Sequence, residues 1–163
     1  MRIAHCRLDG LSGHEAGRRL LAELYRQETG RDLPKILTTD RGKPYFPDSD
    51  LHFSISHTPH HAFCVLSEHN VGIDAEDADR NINLKLADRI LSPGERAQYE
   101  SAADPRTALL TFWVLKEAGA KCTGEGIRGY PNKTAFSLKD PRVSVMDGCL
   151  VAIIEDEENE YAL

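Results

Sequence analysis

Two acidic side chains two residues apart open the chemical reading. Val71-Gly72-Ile73-Asp74-Ala75-Glu76 has the composition of a strand, and in a strand positions two apart share a face. Asp74 and Glu76 therefore project together, and adjacent like charges are unfavourable unless a cation or basic group sits between them. Two carboxylates are the oxygen donors that a hard cation such as Mg²⁺ accepts, usually alongside substrate phosphates; Mn²⁺ accepts the same donors. The plain alternative is a solvent-facing strand edge.

A second constellation lies in Phe112-Trp113-Val114-Leu115-Lys116-Glu117-Ala118-Gly119-Ala120-Lys121. On a helix Trp113, Glu117 and Lys121 fall on one face at successive i, i+4 steps. Glu117 and Lys121 could be a surface ion pair worth about 0.3–0.5 kcal/mol. A carboxylate and an ammonium beside a largely buried Trp also suit metal binding and stabilisation of phosphate charge. Lys121 so close is expected to lower the proton affinity of Glu117. Lys116 points about 100° away and is the weaker candidate.

Two further segments carry weaker signals. In Phe53-Ser54-Ile55-Ser56-His57-Thr58 the hydroxyls alternate as on an exposed strand face. His57 offers a donor beside them, which suits a phosphate contact. His57, His60 and His61 with Cys64 invite a zinc reading, but the spacing matches no tetrahedral pattern. Gly42-Lys43-Pro44 reads as a turn able to offer N–H groups and one cation to a phosphate or nucleotide, though the Walker spacing is absent. Gly124-Glu125-Gly126 is a helix stop rather than a dinucleotide fingerprint.

The elements that must position these residues are legible in outline. Ile3 to Leu8 alternates as a strand. Ser12 with Glu15 forms a capping box ahead of Leu20, Leu21, Leu24 and Tyr25, and Gly30 closes that helix. Strands are expected at Ile36 to Thr38, Leu51 to Ser56, Ala62 to Ser67 and Val71 to Glu76. Short helices are expected over 84–91 and from Ser92-Pro93-Gly94-Glu95. Asp104-Pro105 opens a longer one that runs to about Thr123. Strands Ala135 to Leu138, Arg142 to Met146, Cys149 to Ile154 and Tyr161 to Leu163 complete an α+β chain with antiparallel pairing near its end.

Composition bounds the function. The chain has 163 residues, 40% hydrophobic and 28% charged, which suits a single globular domain. Its net charge of −6 comes from residues 147–163, with six acidic and no basic side chains. The near-neutral remainder lacks the basic surface of a nucleic-acid binder. No apolar run reaches membrane-span length. The opening residues lack an apolar h-region, and Cys6, Cys64, Cys122 and Cys149 have no C-x-x-C spacing. A cytoplasmic protein with reduced thiols and no membrane partner is expected.

The order of the segments is more specific than any one of them. Gly42-Lys43-Pro44, Phe53 to His57, Val71 to Glu76, then Phe112 to Lys121 followed by Gly124-Glu125-Gly126-Ile127 resembles the 4′-phosphopantetheinyl transferase superfamily. The likeness spans about residues 38–140 and is nearer the surfactin-type branch than the short holo-acyl-carrier-protein synthase branch. It implies an α+β pseudo-dimer in one monomeric chain: two helix-on-antiparallel-sheet halves, about 1–68 and 69–163. It implies a holo-[acyl-carrier-protein] synthase, moving 4′-phosphopantetheine from coenzyme A to a serine of an apo acyl or peptidyl carrier protein and releasing adenosine 3′,5′-bisphosphate. By position, Asp74, Glu76 and Glu117 would hold Mg²⁺. Glu117 would be the general base, directly or through a metal-bound water. Lys121 would neutralise phosphate charge, Ser56 and His57 would contact the coenzyme A phosphates, and Lys43 the nucleotide end. The basic N-terminal segment of larger members has no identified counterpart; Arg41, Arg18 and Arg19 are the available substitutes. A non-catalytic carrier-protein or coenzyme A binding module is the alternative, and a metal-dependent phosphohydrolase a third reading.

Overall fold

Ser12 starts the first helix as its side chain predicts. Its hydroxyl accepts from Glu15 N and the Glu15 carboxylate accepts from Ser12 N, each at 3.1 Å, so two otherwise unpaired donors are satisfied. The computed structural model describes residues 1–126 and 135–156. In it β1 (Arg2–Arg7) leads into this helix, α1 (Gly13–Thr29). After α1 come the two short strands β2 (Leu37–Thr38) and β3 (Pro44–Tyr45), paired across the Gly42-Lys43 turn. Next are β4 (His52–His57), β5 (His61–Ser67) and β6 (Val71–Asp77).

The stretch expected as one helix over 84–91 is a 3₁₀ turn, Leu84–Leu86, followed by the single turn α2 (Ala87–Ile90). Pro93 explains its early end. The residue before a proline is held extended, and Ser92 sits at φ −69°, ψ 163°. Ser92 then caps α3 (Pro93–Glu100). Asp104 caps α4 (Pro105–Thr123), accepting from Thr107 N at 3.2 Å. Among the described residues the last elements are β7 (Val143–Met146) and β8 (Cys149–Glu155). Asp147 and Gly148, both at positive φ, make the two-residue hairpin turn that strand twist favours.

The segment Ala135 to Leu138, expected as a strand, is irregular. Its backbone groups bond to side chains of α3 instead of a ladder: Phe136 N to Glu95 Oε1 and Leu138 N to Gln98 Oε1, both 3.0 Å. The strand expected at Tyr161 to Leu163, and Ile127 of the Gly-rich stop, lie outside the described residues.

The strands make two three-stranded antiparallel sheets, β1-β5-β4 and β6-β8-β7. α1 lays Leu21, Leu24 and Tyr25 against Phe53, Cys64 and Leu66 of the first. α4 lays Leu115, Ala118 and Cys122 among Leu150, Ala152 and Ile154 of the second. A third apolar layer, Phe63 and Val65 against Val71, Ile73, Ala75 and Val151, joins the two sheets. β4 and β6 meet without a backbone ladder. Ser54 Oγ accepts from Ile73 N at 3.1 Å and Ser56 Oγ from Ala75 N at 3.0 Å. The alternating hydroxyls are thus buried seams between sheets, not an exposed face. No helix among the described residues is long and apolar enough to cross a membrane.

Gly72 sets the distance between α4 and β6. A Cβ there would stand 1.9 Å from Ala118 O and 2.5 Å from Cys122 N, so only glycine admits this close a crossing. That approach carries Glu117 and Lys121 over Asp74.

Candidate active site

From Ala108 to Cys122 every residue of α4 is buried except Trp113, Glu117 and Lys121, each half-buried. The i, i+4 stripe is therefore the one opening in that stretch of the helix, and it faces β6. Lys121 Nζ donates to Asp74 Oδ1 and to Ile73 O, both at 3.0 Å, and reaches Ile55 O at 3.5 Å. It therefore touches both sheets. Ser56 Oγ lies 3.4 Å from the same Asp74 oxygen. Asp74 is 6% exposed, and its other oxygen, Oδ2, is buried without a hydrogen-bond partner. Burial pushes the Asp74 carboxyl up to about 6, against the pull of Lys121 and with a further push from Glu76.

Glu117 departs from expectation. Burial, then the charge of Asp74, pushes its carboxyl up to about 7. Lys121 draws it down, but more weakly, because the ammonium is paired with Asp74 instead. Glu76 is held at one oxygen, Oε1, by Trp113 Nε1 at 3.2 Å and by Arg80 Nη1. The Arg80 guanidinium also lies over the Trp113 ring, 5.9 Å from its centroid. Arg80 was not legible as a site residue, because spacing across a strand end says nothing about what meets there. The indole N–H of Trp113 was the available signal, since a partly buried tryptophan needs an acceptor.

The three carboxylates feel one another's charge but are not drawn tight. Among the described residues the group of three ligand atoms within 4.8 Å of one another is a different one, His61, Asp77 and Cys149. Lys121 on Asp74 and Arg80 on Glu76 supply the positive charge that keeps the acidic groups in place. The donor set at Asp74, Glu76 and Glu117 is all oxygen, which suits Mg²⁺ or Mn²⁺. A buried carboxylate oxygen with no donor is what such an ion would satisfy, so these residues fit a hard divalent cation.

A cavity of about 290 Å³ opens beside them, walled by the Arg41–Pro44 turn, β4 and the end of α4 with Glu117, Lys121 and Gly124. Lys43 lines it, yet its ammonium donates to Cys122 O and, at 3.4 Å, to Asn70 Oδ1. It caps the negative end of α4, and burial lowers its pKa. Of the arginines considered for nucleotide contacts, Arg41 lines the cavity, whereas Arg18 and Arg19 sit on α1. Ser56 and His57 stand outside the lining. The Ser56 hydroxyl is engaged with β6. His57 is exposed, with its ring over Gly13 at the start of α1, where a Cβ would lie 2.2 Å from His57 Cγ. The histidine–Cys64 set does not meet, since strand alternation puts Cys64 in the α1 core, away from His61.

Lys116 has a structural partner. It forms an ion pair with Glu95 at 2.9 Å with both side chains almost fully buried. Glu95 also accepts from Ser92 N and Phe136 N, so this pair fastens α3, α4 and the segment at Phe136 together.

The family model described as the 4′-phosphopantetheinyl transferase superfamily matches residues 70–157. The 4′-phosphopantetheinyl transferase gsp of Aneurinibacillus migulanus is 35% identical over 88 residues, 53% of this chain and 36% of that protein. The 4′-phosphopantetheinyl transferase of Bacillus subtilis is 30% identical over 131 residues, 75% of this chain and 58% of its own. A holo-[acyl-carrier-protein] synthase of Thiobacillus denitrificans is 40% identical over 67 residues, 37% of this chain and 50% of that one. The chain thus spans between 36% and 58% of the length of these curated relatives. The matched stretch runs from β6 through α4 to β8 and holds Asp74, Glu76, Glu117 and Lys121, and the chain belongs to the 4′-phosphopantetheinyl transferase superfamily.

Proposed function

We propose that this protein transfers 4′-phosphopantetheine from coenzyme A to a serine hydroxyl of an apo acyl or peptidyl carrier protein. The serine oxygen forms a bond to the phosphorus bearing pantetheine. The bond from that phosphorus to the bridging oxygen breaks, and adenosine 3′,5′-bisphosphate leaves with the electron pair. The observation that carries the reading is the stripe on α4: Glu117 in a half-buried setting and Lys121 tied to Asp74, both lining one cavity of about 290 Å³, room for part of a coenzyme A molecule.

Glu117, a half-buried carboxylate lining the cavity, is the group suited to take the serine proton. Lys121 lies where its ammonium offsets charge on the transferred or leaving phosphate, the main need of phosphoryl transfer. Asp74, Glu76 and Glu117 would hold Mg²⁺, which when bound supplies charge neutralisation at the pyrophosphate. Lys43 and Arg41 line the cavity and would meet the nucleotide, whereas Ser56 and His57, which stand outside the lining, would reach the phosphates only if their side chains moved. A long helix on a three-stranded antiparallel sheet recurs in the two halves, α1 on β1-β5-β4 and α4 on β6-β8-β7, which supports a pseudo-dimer in one monomeric chain, with α2 and α3 added to the second half. Four free thiols suit a cytoplasmic location.

The test is mass spectrometry of apo-carrier proteins incubated with the full chain, coenzyme A and Mg²⁺. The expected result is a phosphopantetheine adduct on serine, lost in Glu117→Ala. Coenzyme A binding with no adduct on any carrier would point to a binding module, and cleavage without a carrier to a phosphohydrolase. Full transfer by Glu117→Ala would overturn the role of Glu117.

A further inference from the structure

β6 has two faces, and the family site uses one of them. Asp74 and Glu76 look towards α4. Val71, Ile73, Ala75 and Asp77 alternate onto the other face, where the first three join the apolar layer between the sheets. Asp77 ends that layer. Its register partner on β8 is Cys149, itself a member of the layer and fully buried. From the first sheet comes His61, on the same face of β5 as Phe63 and Val65, with its ring 6.4 Å from Phe63.

These three side chains converge. Cys149 Sγ lies 3.5 Å from Asp77 Oδ1 and 3.9 Å from His61 Nδ1, and all three ligand atoms fall within 4.8 Å of one another. Ligands of one tetrahedral zinc ion, at bond lengths of about 2.0–2.3 Å, stand roughly 3.5 Å apart. We propose that His61, Asp77 and Cys149 bind a borderline divalent ion of the zinc class, which ties the two sheets together at the end of their shared apolar layer.

Donor chemistry selects the ion. One nitrogen, one oxygen and one sulfur suit zinc or cobalt and are wrong for Mg²⁺, which takes oxygen alone. A thiolate and a carboxylate together balance a dication. Three protein ligands leave a fourth position for water. The way in is a depression bordered by Arg7, His60, His61 and Asp147; Asp147 is engaged there with His5 at 2.7 Å, and Arg7 with Asp9 at 4.0 Å. The site stands on other residues than the transfer chemistry, so it survives or fails independently of it.

The test is Co²⁺ titration of the full, metal-free chain in excess Mg²⁺. One equivalent is expected to produce a thiolate-to-cobalt charge-transfer band with visible d–d bands, both bleached by Zn²⁺. Zn²⁺ alone should raise the Tm. Cys149→Ser should abolish the charge-transfer band. His61→Ala, a half-exposed position where folding is safe, should weaken binding at least about tenfold. Cys6→Ser should change nothing. No charge-transfer band in the wild-type chain, a band unchanged in Cys149→Ser, or undiminished binding in His61→Ala would each overturn the proposal.

Discussion

α1 and α4 each cover a three-stranded sheet, but they treat polar side chains in opposite ways. α1 is amphipathic: Ala16, Gly17, Leu21, Leu24 and Tyr25 are buried, Leu20 packs partly against the same core, and its charged side chains are exposed or half-buried. α4 is enclosed, with β6 and β8 on one side and α3 on another, and it carries charge inside. Lys116 is buried with Glu95, while Glu117 and Lys121 sit at the one gap in its cover. A helix held by apolar contacts alone needs no exact partner. A helix that buries charge does, because each ion left unpaired in the interior is costly. That difference is why the candidate acidic residues and Lys121 cluster on the second half of the molecule.

The comparison is sharpened most by Lys116→Met. It strands the Glu95 carboxylate, and a loss of about 3–5 kcal/mol is expected in urea unfolding. Combining Lys116→Met with Glu95→Gln, which removes the stranded charge yet keeps an acceptor for Ser92 N or Phe136 N, should recover part of it. In α1, Leu24→Ala should cost about 2–5 kcal/mol through the cavity it leaves, yet leave the titration of Glu117 followed by NMR unmoved. Should that titration shift, the two halves would be coupled more tightly than their packing implies. Gly72→Ala forces α4 off β6, and about 1–3 kcal/mol is expected, with loss of the Lys121–Asp74 pair and of transfer activity.

The smallest effect is on pH dependence. In the metal-free chain burial pushes the carboxyls of Asp74 and Glu117 up to about 6 and about 7, from ordinary values of 3.8 and 4.5. Between these limits the folded chain binds more protons than the unfolded one, so stability falls as pH rises from about 4 to 7. Burial sets most of the slope; Lys121 reduces it at both groups and Arg80 at Glu117, while Glu76 adds to it at both. Thermal melts across that range should show the decline, flattened in Asp74→Asn with Glu117→Gln.

Local grammar was legible where one side chain decides the outcome. The capping boxes at Ser12 and Ser92 follow from their own spacing, and so does the stripe of Trp113, Glu117 and Lys121. Ala135 to Leu138 was misread because its alternation suits a strand, whereas its hydrogen bonds go to Glu95 and Gln98, about forty residues away in sequence. The alternation of Ser54 and Ser56 suits an exposed face for the same reason: only the neighbouring sheet reveals that their hydroxyls meet Ile73 N and Ala75 N.

The amino-acid order by itself determined the helix starts, the shared face of Asp74 and Glu76, and the family likeness, because each depends on spacing within one element. Tertiary structure decided which charges pair. Lys121 takes Asp74 rather than Glu117, Arg80 takes Glu76, and Glu95 takes Lys116. It also decided the direction in which Glu117 titrates and the meeting of His61, Asp77 and Cys149. Burial and Coulomb attraction depend on distances across elements, and those distances exist only once α4 has closed over Gly72 and the two sheets have met.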